Sequence, residues 1–352
     1  MNVQKKRDIL KENKTLNENL LKDYVRPVRE EDRGTLPVFS YSKMEVYKNC
    51  PYQYDLKYNQ KKFTSDTSIA LEIGGLLHYV LEQKGKALVL GQPVDYVKLS
   101  TITQNGTKET DEKTKEQLLG VTDLKKKYWE IWNAPDSEGR TYDQKLELFD
   151  KVLHYEMEEE DGWKPYKFEH PFEFVWNNRV ILKGFIDRLD LKDGNIRTVD
   201  YKTSKKVYDS SKLSTSLQFG VYALAILNEF GVLPEESIYR FILLDETQKA
   251  LTKGWEKRLI KALDGIFDKI DADNKSGVWI PKSSPLCHWC NFCSHNPDAK
   301  DYKYDCEYYS LWTPDNKTFA VNRQFETGDL KNAERTIKLN NNINSKERKL
   351  IF

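Results

Sequence analysis

The stretch Gly184-Phe185-Ile186-Asp187-Arg188-Leu189-Asp190-Leu191-Lys192-Asp193-Gly194-Asn195-Ile196-Arg197-Thr198-Val199-Asp200-Tyr201-Lys202-Thr203 decides the fold. Val, Ile, Leu and Phe dominate Arg179–Leu191, and Ile196–Thr203 reads as the next strand. Lys192-Asp193-Gly194-Asn195 between them is a turn signal, with Asp-Gly favouring a type I′ hairpin. Asp187 stands six residues before Asp193 and Asp200 six after Gly194, so the hairpin sets the two carboxylates directly opposite each other. Their Cβ atoms should then lie ~5 Å apart, and like charges so placed destabilise a hairpin unless something neutralises them. The two-residue period of a strand puts Lys202 on the same face as Asp200. A divalent cation resolves the repulsion. Mg²⁺ or Mn²⁺ takes oxygen ligands, commonly two carboxylates with waters and substrate phosphate. Such an ion polarises a phosphoryl oxygen and acidifies a bound water. Lys202 is suited to orient that water or to neutralise a pentavalent transition state. The competing reading of this segment alone is a surface hairpin whose lysine bridges two aspartates.

The flanking segments add polar groups at helical spacing. Leu217–Phe230 reads as a helix, and Gln218 and Tyr222 sit at i, i+4 on one side of it. Both are neutral hydrogen-bonding groups suited to a phosphate, a base edge or the lysine. Residues 69–83 read as another helix, with Ile73, Leu77, Val80 and Leu81 at helical spacing. Gly75 and His78 share a face there; the glycine would let another backbone come close, and His78 would offer a nitrogen ligand to the same cation. Further strands are expected at Phe172–Trp176 and Ser237–Leu244, and a further helix at Trp255–Asp271. Ser42 is expected to cap a helix running towards Cys50, with Glu45 completing a capping box.

Gly75-x-x-His78, Gly184-x-x-Asp187, Asp200-x-Lys202 and Gln218-x-x-x-Tyr222 stand in the order found in RecB-type nucleases of the PD-(D/E)XK superfamily, and the chain resembles that family from about Val38 to Cys306. The resemblance implies an α/β (α+β-like) fold, a mixed central sheet flanked by helices. It also implies metal-dependent cleavage of DNA phosphodiesters, here by an exonuclease acting on ends or single strands. By the same resemblance His78, Asp187 and Asp200 are metal ligands, the Tyr201 carbonyl reaches the metal, Lys202 is the catalytic lysine, and Gln218 and Tyr222 form an accessory motif. Glu169 matches a frequent family carboxylate less securely. Arg188 is open to a phosphate contact or a plain salt bridge. Two other functions stay open: a non-catalytic DNA-binding or assembly protein that keeps the fold, and a nuclease directed at RNA.

The cysteines are unevenly spread. Cys50 stands alone, whereas Cys287, Cys290, Cys293 and Cys306 fall close together. Cys287-x-x-Cys290 can bring two thiolates round one ion or cluster. A subset of RecB-like nucleases, the AddB type and the CRISPR spacer-acquisition type, is similar here. That resemblance implies a [4Fe–4S] cluster held by Cys50, Cys287, Cys290 and Cys306, with Cys293 the alternative to Cys306, stapling N- and C-terminal parts together. The family's closing spacing would fall on Asn296, so the last ligand is displaced. Zinc in the same ligands, with His288 and His295 as further candidates, is the other metal reading; free buried thiols are the third.

Around this core, residues 1–35 read as a polar extension, 36–310 as the nuclease domain with a helical insertion near 84–165 and a cysteine cluster at 287–306, and 311–352 as a polar tail. The acidic run Glu156–Asp161 reads as a solvated helix face. The longest apolar run, Val221–Leu227, is far short of the ~20 residues that a membrane span needs. The first residues hold no apolar signal core. The expected location is therefore cytoplasmic, or the host cytoplasm for a viral chain. Fifty-six basic against 55 acidic residues exclude a uniformly basic coat, so DNA affinity would rest on a local groove and fall steeply with salt. No GxxxxGK[ST] phosphate loop is present, so ATP-driven unwinding would need a helicase or recombination partner.

Overall fold

The structure, a computed structural model, describes residues 19–62, 69–94, 140–157, 160–204, 206–250, 254–282 and 284–293, with Asn296, Tyr302, Asp305 and Cys306. These residues fall into two compact units: the described parts of Met1–Tyr41 and Ser68–Ala262, and those of Ser42–Thr67 and Leu263–Phe352.

The first unit is built on a seven-stranded mixed sheet. Its strands are β1 (Val25–Arg26), β2 (Val38–Phe39), β3 (Lys164–Trp176), β4 (Val180–Lys192), β5 (Asn195–Lys202), β6 (Glu236–Phe241) and β7 (Glu246–Lys249). They are ordered β1-β3-β4-β5-β6-β7, with β2 pairing β4 in parallel. The expected hairpin is present. Asp193 and Gly194 carry φ of 49° and 79°, as a type I′ turn requires. The register follows: Lys192 pairs Asn195, Asp190 pairs Arg197, and Arg188 pairs Val199.

Helices cover the sheet. α3 (Ile69–Val89) and α4 (Tyr142–Leu153) bury Leu76, Leu77, Val80, Phe149 and Val152 against Phe168, Val199, Tyr201 and Ile238. α3 runs beyond the expected 69–83. Its Gly85 faces Phe168, and a Cβ there would overlap the ring. Gly75, expected to admit a neighbouring backbone, is instead exposed and faces open space. The short α5 (Ser210–Ser214) and then α6 (Leu217–Phe230) carry the chain between the parallel strands β5 and β6, the kind of crossover such strands need. Ser216 caps it, accepting from Phe219 N, and Gly231 ends it at a φ of 74°. These bounds match the expectation.

Several expectations change. Residues 19–34, assigned to the polar extension, contribute β1, which pairs antiparallel with β3, and bury Leu21. There Arg26 grips the Asp32 carboxylate with two nitrogens, at 2.6 and 2.7 Å. The strand read as Ser237–Leu244 is a hairpin, β6 turning into β7 at Asp245 with a φ of 52°. The acidic run follows the end of α4; Glu160 bridges Trp163 and faces Arg197 and Arg240 at 3.4 and 3.7 Å.

The second unit contains α1 (Tyr41–Asn49), α2 (Pro51–Tyr54) and the later part of α7 (Trp255–Ser276). α1 begins at Tyr41, which places Ser42 inside the first turn, and Glu45 pairs with Lys48 at 2.5 Å. Tyr47 donates to Asp273 at 2.6 Å, and Trp279 stacks on Tyr54.

Candidate active site

The β4–β5 ladder ends at Arg188↔Val199, one pair short of Asp187 and Asp200. In place of the next rung, Tyr201 N donates to Asp187 Oδ2 at 2.9 Å. The backbone proton that a strand would give to its neighbour goes to a carboxylate, and that carboxylate is held in place.

Two other elements reach Asp187. From α3, His78 Nδ1 comes within 3.5 Å of Asp187 Oδ2 and 4.0 Å of Glu169 Oε1. From β3, the residues either side of Glu169 pair as Phe168↔Arg188 and His170↔Ile186, so Glu169 falls opposite Asp187. Its φ is 44°, a left-handed conformation that a non-glycine residue rarely adopts inside a strand. One ligand atom from each of His78, Glu169 and Asp187 lies within 4.8 Å of the others.

Asp200 is 1% exposed. Gln218 Nε2 donates to its Oδ1 at 2.6 Å, and Tyr222 OH does so at 3.3 Å. The accessory pair thus serves the carboxylate rather than the lysine. The Lys202 ammonium lies against Oδ2 as an ion partner, with its Nζ 5.4 Å from the Tyr239 ring centre. Arg188 turns the other way, towards Asp190 and Tyr201 OH, which is the salt-bridge reading. The Tyr201 ring is buried in the core shared with α3 and α4.

The electrostatics suit a divalent cation. Burial, then Asp200, push Asp187 up to about 6. Burial, then Asp187, push Glu169 up to about 8. Burial opposes the charge on Lys202, but Asp200 outweighs it and the pKa is raised. Three clustered acceptors, two of them carboxyls biased towards protonation, are a donor set that Mg²⁺ or Mn²⁺ would satisfy.

In the second unit all five cysteines line one cavity. Cys50 Sγ accepts from Lys282 N at 3.3 Å and from Gln53 N at 3.5 Å. Cys287 Sγ accepts from Ser284 N at 3.5 Å. Cys293 N donates to Cys290 O, and Cys306 N to Phe292 O, so both candidates for the last ligand are anchored at the cavity. Burial pushes the Cys290 thiol up to about 12. Sulfurs brought together and met by N–H donors suit a thiolate-bound metal group. His295 lies outside the described residues, as do residues 95–139 of the expected helical insertion and the whole of the expected tail 311–352.

The chain belongs to the PD-(D/E)XK nuclease superfamily, whose family model matches residues 38–295. It is 23% identical over 304 residues to the Gene 69 protein of Mycobacterium phage L5, covering 76% of this chain and 98% of that one. A second relative is one of the subunits of the ATP-dependent helicase/deoxyribonuclease of Streptococcus equi subsp. zooepidemicus (strain H70). The two are 25% identical over 228 residues, which cover 59% of this chain but 19% of that much longer relative. A solved structure of a candidate exonuclease from Eubacterium rectale is 14% identical, covers 78% of this chain and 95% of that one, and superposes with a TM-score of 0.43. Among the described residues, no helix is long and apolar enough to cross a membrane.

Proposed function

We propose that this nuclease is a Mg²⁺- or Mn²⁺-dependent deoxyribonuclease that works as an exonuclease on DNA ends or single strands. The observation that carries the reading is the convergence of His78, Glu169 and Asp187 where the β4–β5 ladder opens. His78, Glu169 and Asp187 would hold the ion, with Asp200 and the Tyr201 carbonyl beside them. When bound, the ion supplies a polarised phosphoryl oxygen and an acidified water. Gln218 and Tyr222 keep Asp200 Oδ1 in one orientation. Lys202, kept protonated by Asp200, places positive charge where the phosphorane gathers negative charge.

The test is cleavage of end-labelled DNA with Mn²⁺, in competition with RNA of the same sequence. Asp200→Ala protein that still cuts at the wild-type rate refutes the assignment. The Streptococcus relative is part of an ATP-dependent helicase/deoxyribonuclease, which favours a helicase acting in trans. The reading places its action in the cytoplasm, or in the host-cell cytoplasm for a viral chain.

The same reading gives the second unit a [4Fe–4S] cluster on Cys50, Cys287, Cys290 and Cys306, with Cys293 as the alternative last ligand. What supports a thiolate-bound group is that all five cysteines line one cavity and that Cys50 and Cys287 each accept from backbone N–H groups. Anaerobically purified protein should absorb broadly near roughly 400 nm, as thiolate-bound iron–sulfur centres do. A colourless, zinc-loaded protein would decide for zinc.

A further inference from the structure

The β3–β4 ribbon has an outer face as well as an inner one. Side chains alternate along a strand, and here exposure follows that alternation. His170, Phe174, Leu182 and Ile186 are buried. Between them the Phe172 ring covers Gly184, where a Cβ would come within 3.0 Å of it. The intervening residues Pro171, Glu173, Lys183 and Phe185 are exposed. Glu169 and Asp187 belong to this outer set. The face therefore runs from the candidate ion site through one apolar rung, Pro171↔Phe185, to a charged one, Glu173↔Lys183.

Phe185 is 59% exposed. Single exposed apolar side chains are common on protein surfaces; its address sets this one apart. It stands two residues from Asp187, ~7 Å along the strand. Among the described residues no ring contact engages it. Its cross-strand partner is a proline, tolerated because β1 reaches no further than Val175 and leaves β3 with an open edge at Pro171. The inner face holds the rung in place. Phe172 meets Tyr222 of α6 edge-on, and Tyr222 also donates to Asp200, so ring and carboxylates keep one spacing.

The size of the patch selects its occupant. A stable protein partner covers about 800 Å², whereas an aromatic side chain offers at most about 250 Å². One ring backed by one pyrrolidine is too small to dock a protein and matches a single nucleobase.

We propose that Phe185, backed by Pro171, is the stacking platform for an unpaired base of the substrate strand, beside the nucleotide whose phosphate meets the ion. The inference rests on the nuclease reading and names what that site recognises beyond the phosphate. A base inside a duplex has both faces covered by its neighbours, while a base at a frayed end or in a single strand has a face to give. The platform therefore favours those substrates without choosing a sequence, since every base has a π-face.

The experiment uses the full chain and single-stranded oligonucleotides in which an abasic residue replaces one nucleoside at a time. Kd is read with Ca²⁺ in place of Mn²⁺, so that binding is measured without cutting. In wild type, one abasic position should weaken binding roughly 5- to 100-fold, the loss of a base–aromatic stack. Phe185→Ala should weaken binding of the intact strand to a similar degree and show no further loss at that position. Phe185→Trp should bind at least as tightly as wild type. Phe185→Leu, apolar but without a ring face, should behave as Phe185→Ala, which separates stacking from strand packing. The proposal is overturned if Phe185→Ala stays as sensitive as wild type to an abasic residue at every position. It is overturned equally if Phe185→Leu binds as wild type does, or if the wild-type chain binds no single strand. Cleavage with Mn²⁺ is a separate readout: a wild-type chain that shows the coupling but cuts nothing ends the nuclease reading and leaves the base platform standing.

Discussion

The backbone N–H of Tyr201 donates to Asp187 Oδ2 across 2.9 Å, so a side-chain carboxylate stands where the sheet's next backbone acceptor would be. Asp187→Asn should keep this bond by turning its amide oxygen to Tyr201, and should then present an NH₂ group to the cation. The protein is expected to unfold within a few °C of wild type and to lose Mn²⁺ binding by at least roughly tenfold, in line with the loss of an ionic ligand. Calorimetric titration with Mn²⁺ checks this; undiminished affinity would remove Asp187 from the ligand set.

Gln218 and Tyr222 both donate to Asp200 Oδ1, so on the proposed reading they would act through that carboxylate. Gln218→Ala should lower kcat by roughly 10- to 100-fold with KM little changed, because a buried carboxylate loses its better-placed donor. Tyr222→Phe, which removes the longer bond, should lower it less. Equal effects of the two, or an effect on KM alone, would show that the pair meets substrate instead.

Metal-free protein should lose stability as pH rises. Glu169 moves from 4.5 to about 8 on folding and Asp187 from 3.8 to about 6. Between those limits the folded state holds more protons than the unfolded state, so the unfolding free energy falls with pH until about 8. The Tm of chelator-treated protein should drop across that window, and Glu169→Gln should blunt the drop. Saturating Mn²⁺ should lift the Tm most at the alkaline end, since binding competes with protons. A metal-free Tm that climbs from pH 5 to 8, and climbs equally in Glu169→Gln, would contradict this.

Gly85→Ala should destabilise the fold by about 1–3 kcal/mol through overpacking against the Phe168 ring. Phe168→Leu in the same protein should recover part of the loss, and denaturant titration of the single and double variants gives the coupling. Gly75→Ala, whose Cβ meets nothing within 4 Å, should leave stability near wild type.

The residues legible in the sequence were those whose placement is local. Asp-Gly set the turn, and the turn set the register as far as Arg188 and Val199, one pair short of Asp187 and Asp200. Helical spacing aimed Gln218 and Tyr222 together, although only the packing of α6 showed that their target is Asp200. Glu169 resisted a local reading, because its role depends on a φ of 44° that no residue type announces. The two-residue strand β1 and the turn at Asp245 were too short for periodicity to register.

The second compact unit draws on two distant pieces of chain, with Ser68–Ala262 between them. A ribosome releases the piece bearing Cys50 long before it reaches Cys287. At roughly 5–20 residues per second the delay is on the order of 10–50 s. Through that interval an emerging α1–α2 segment has no partner of its own to close on, whereas the sheet between can already be condensing. Biogenesis of this unit is therefore post-hoc by topology, and a culture short of time or chaperone would betray it there first.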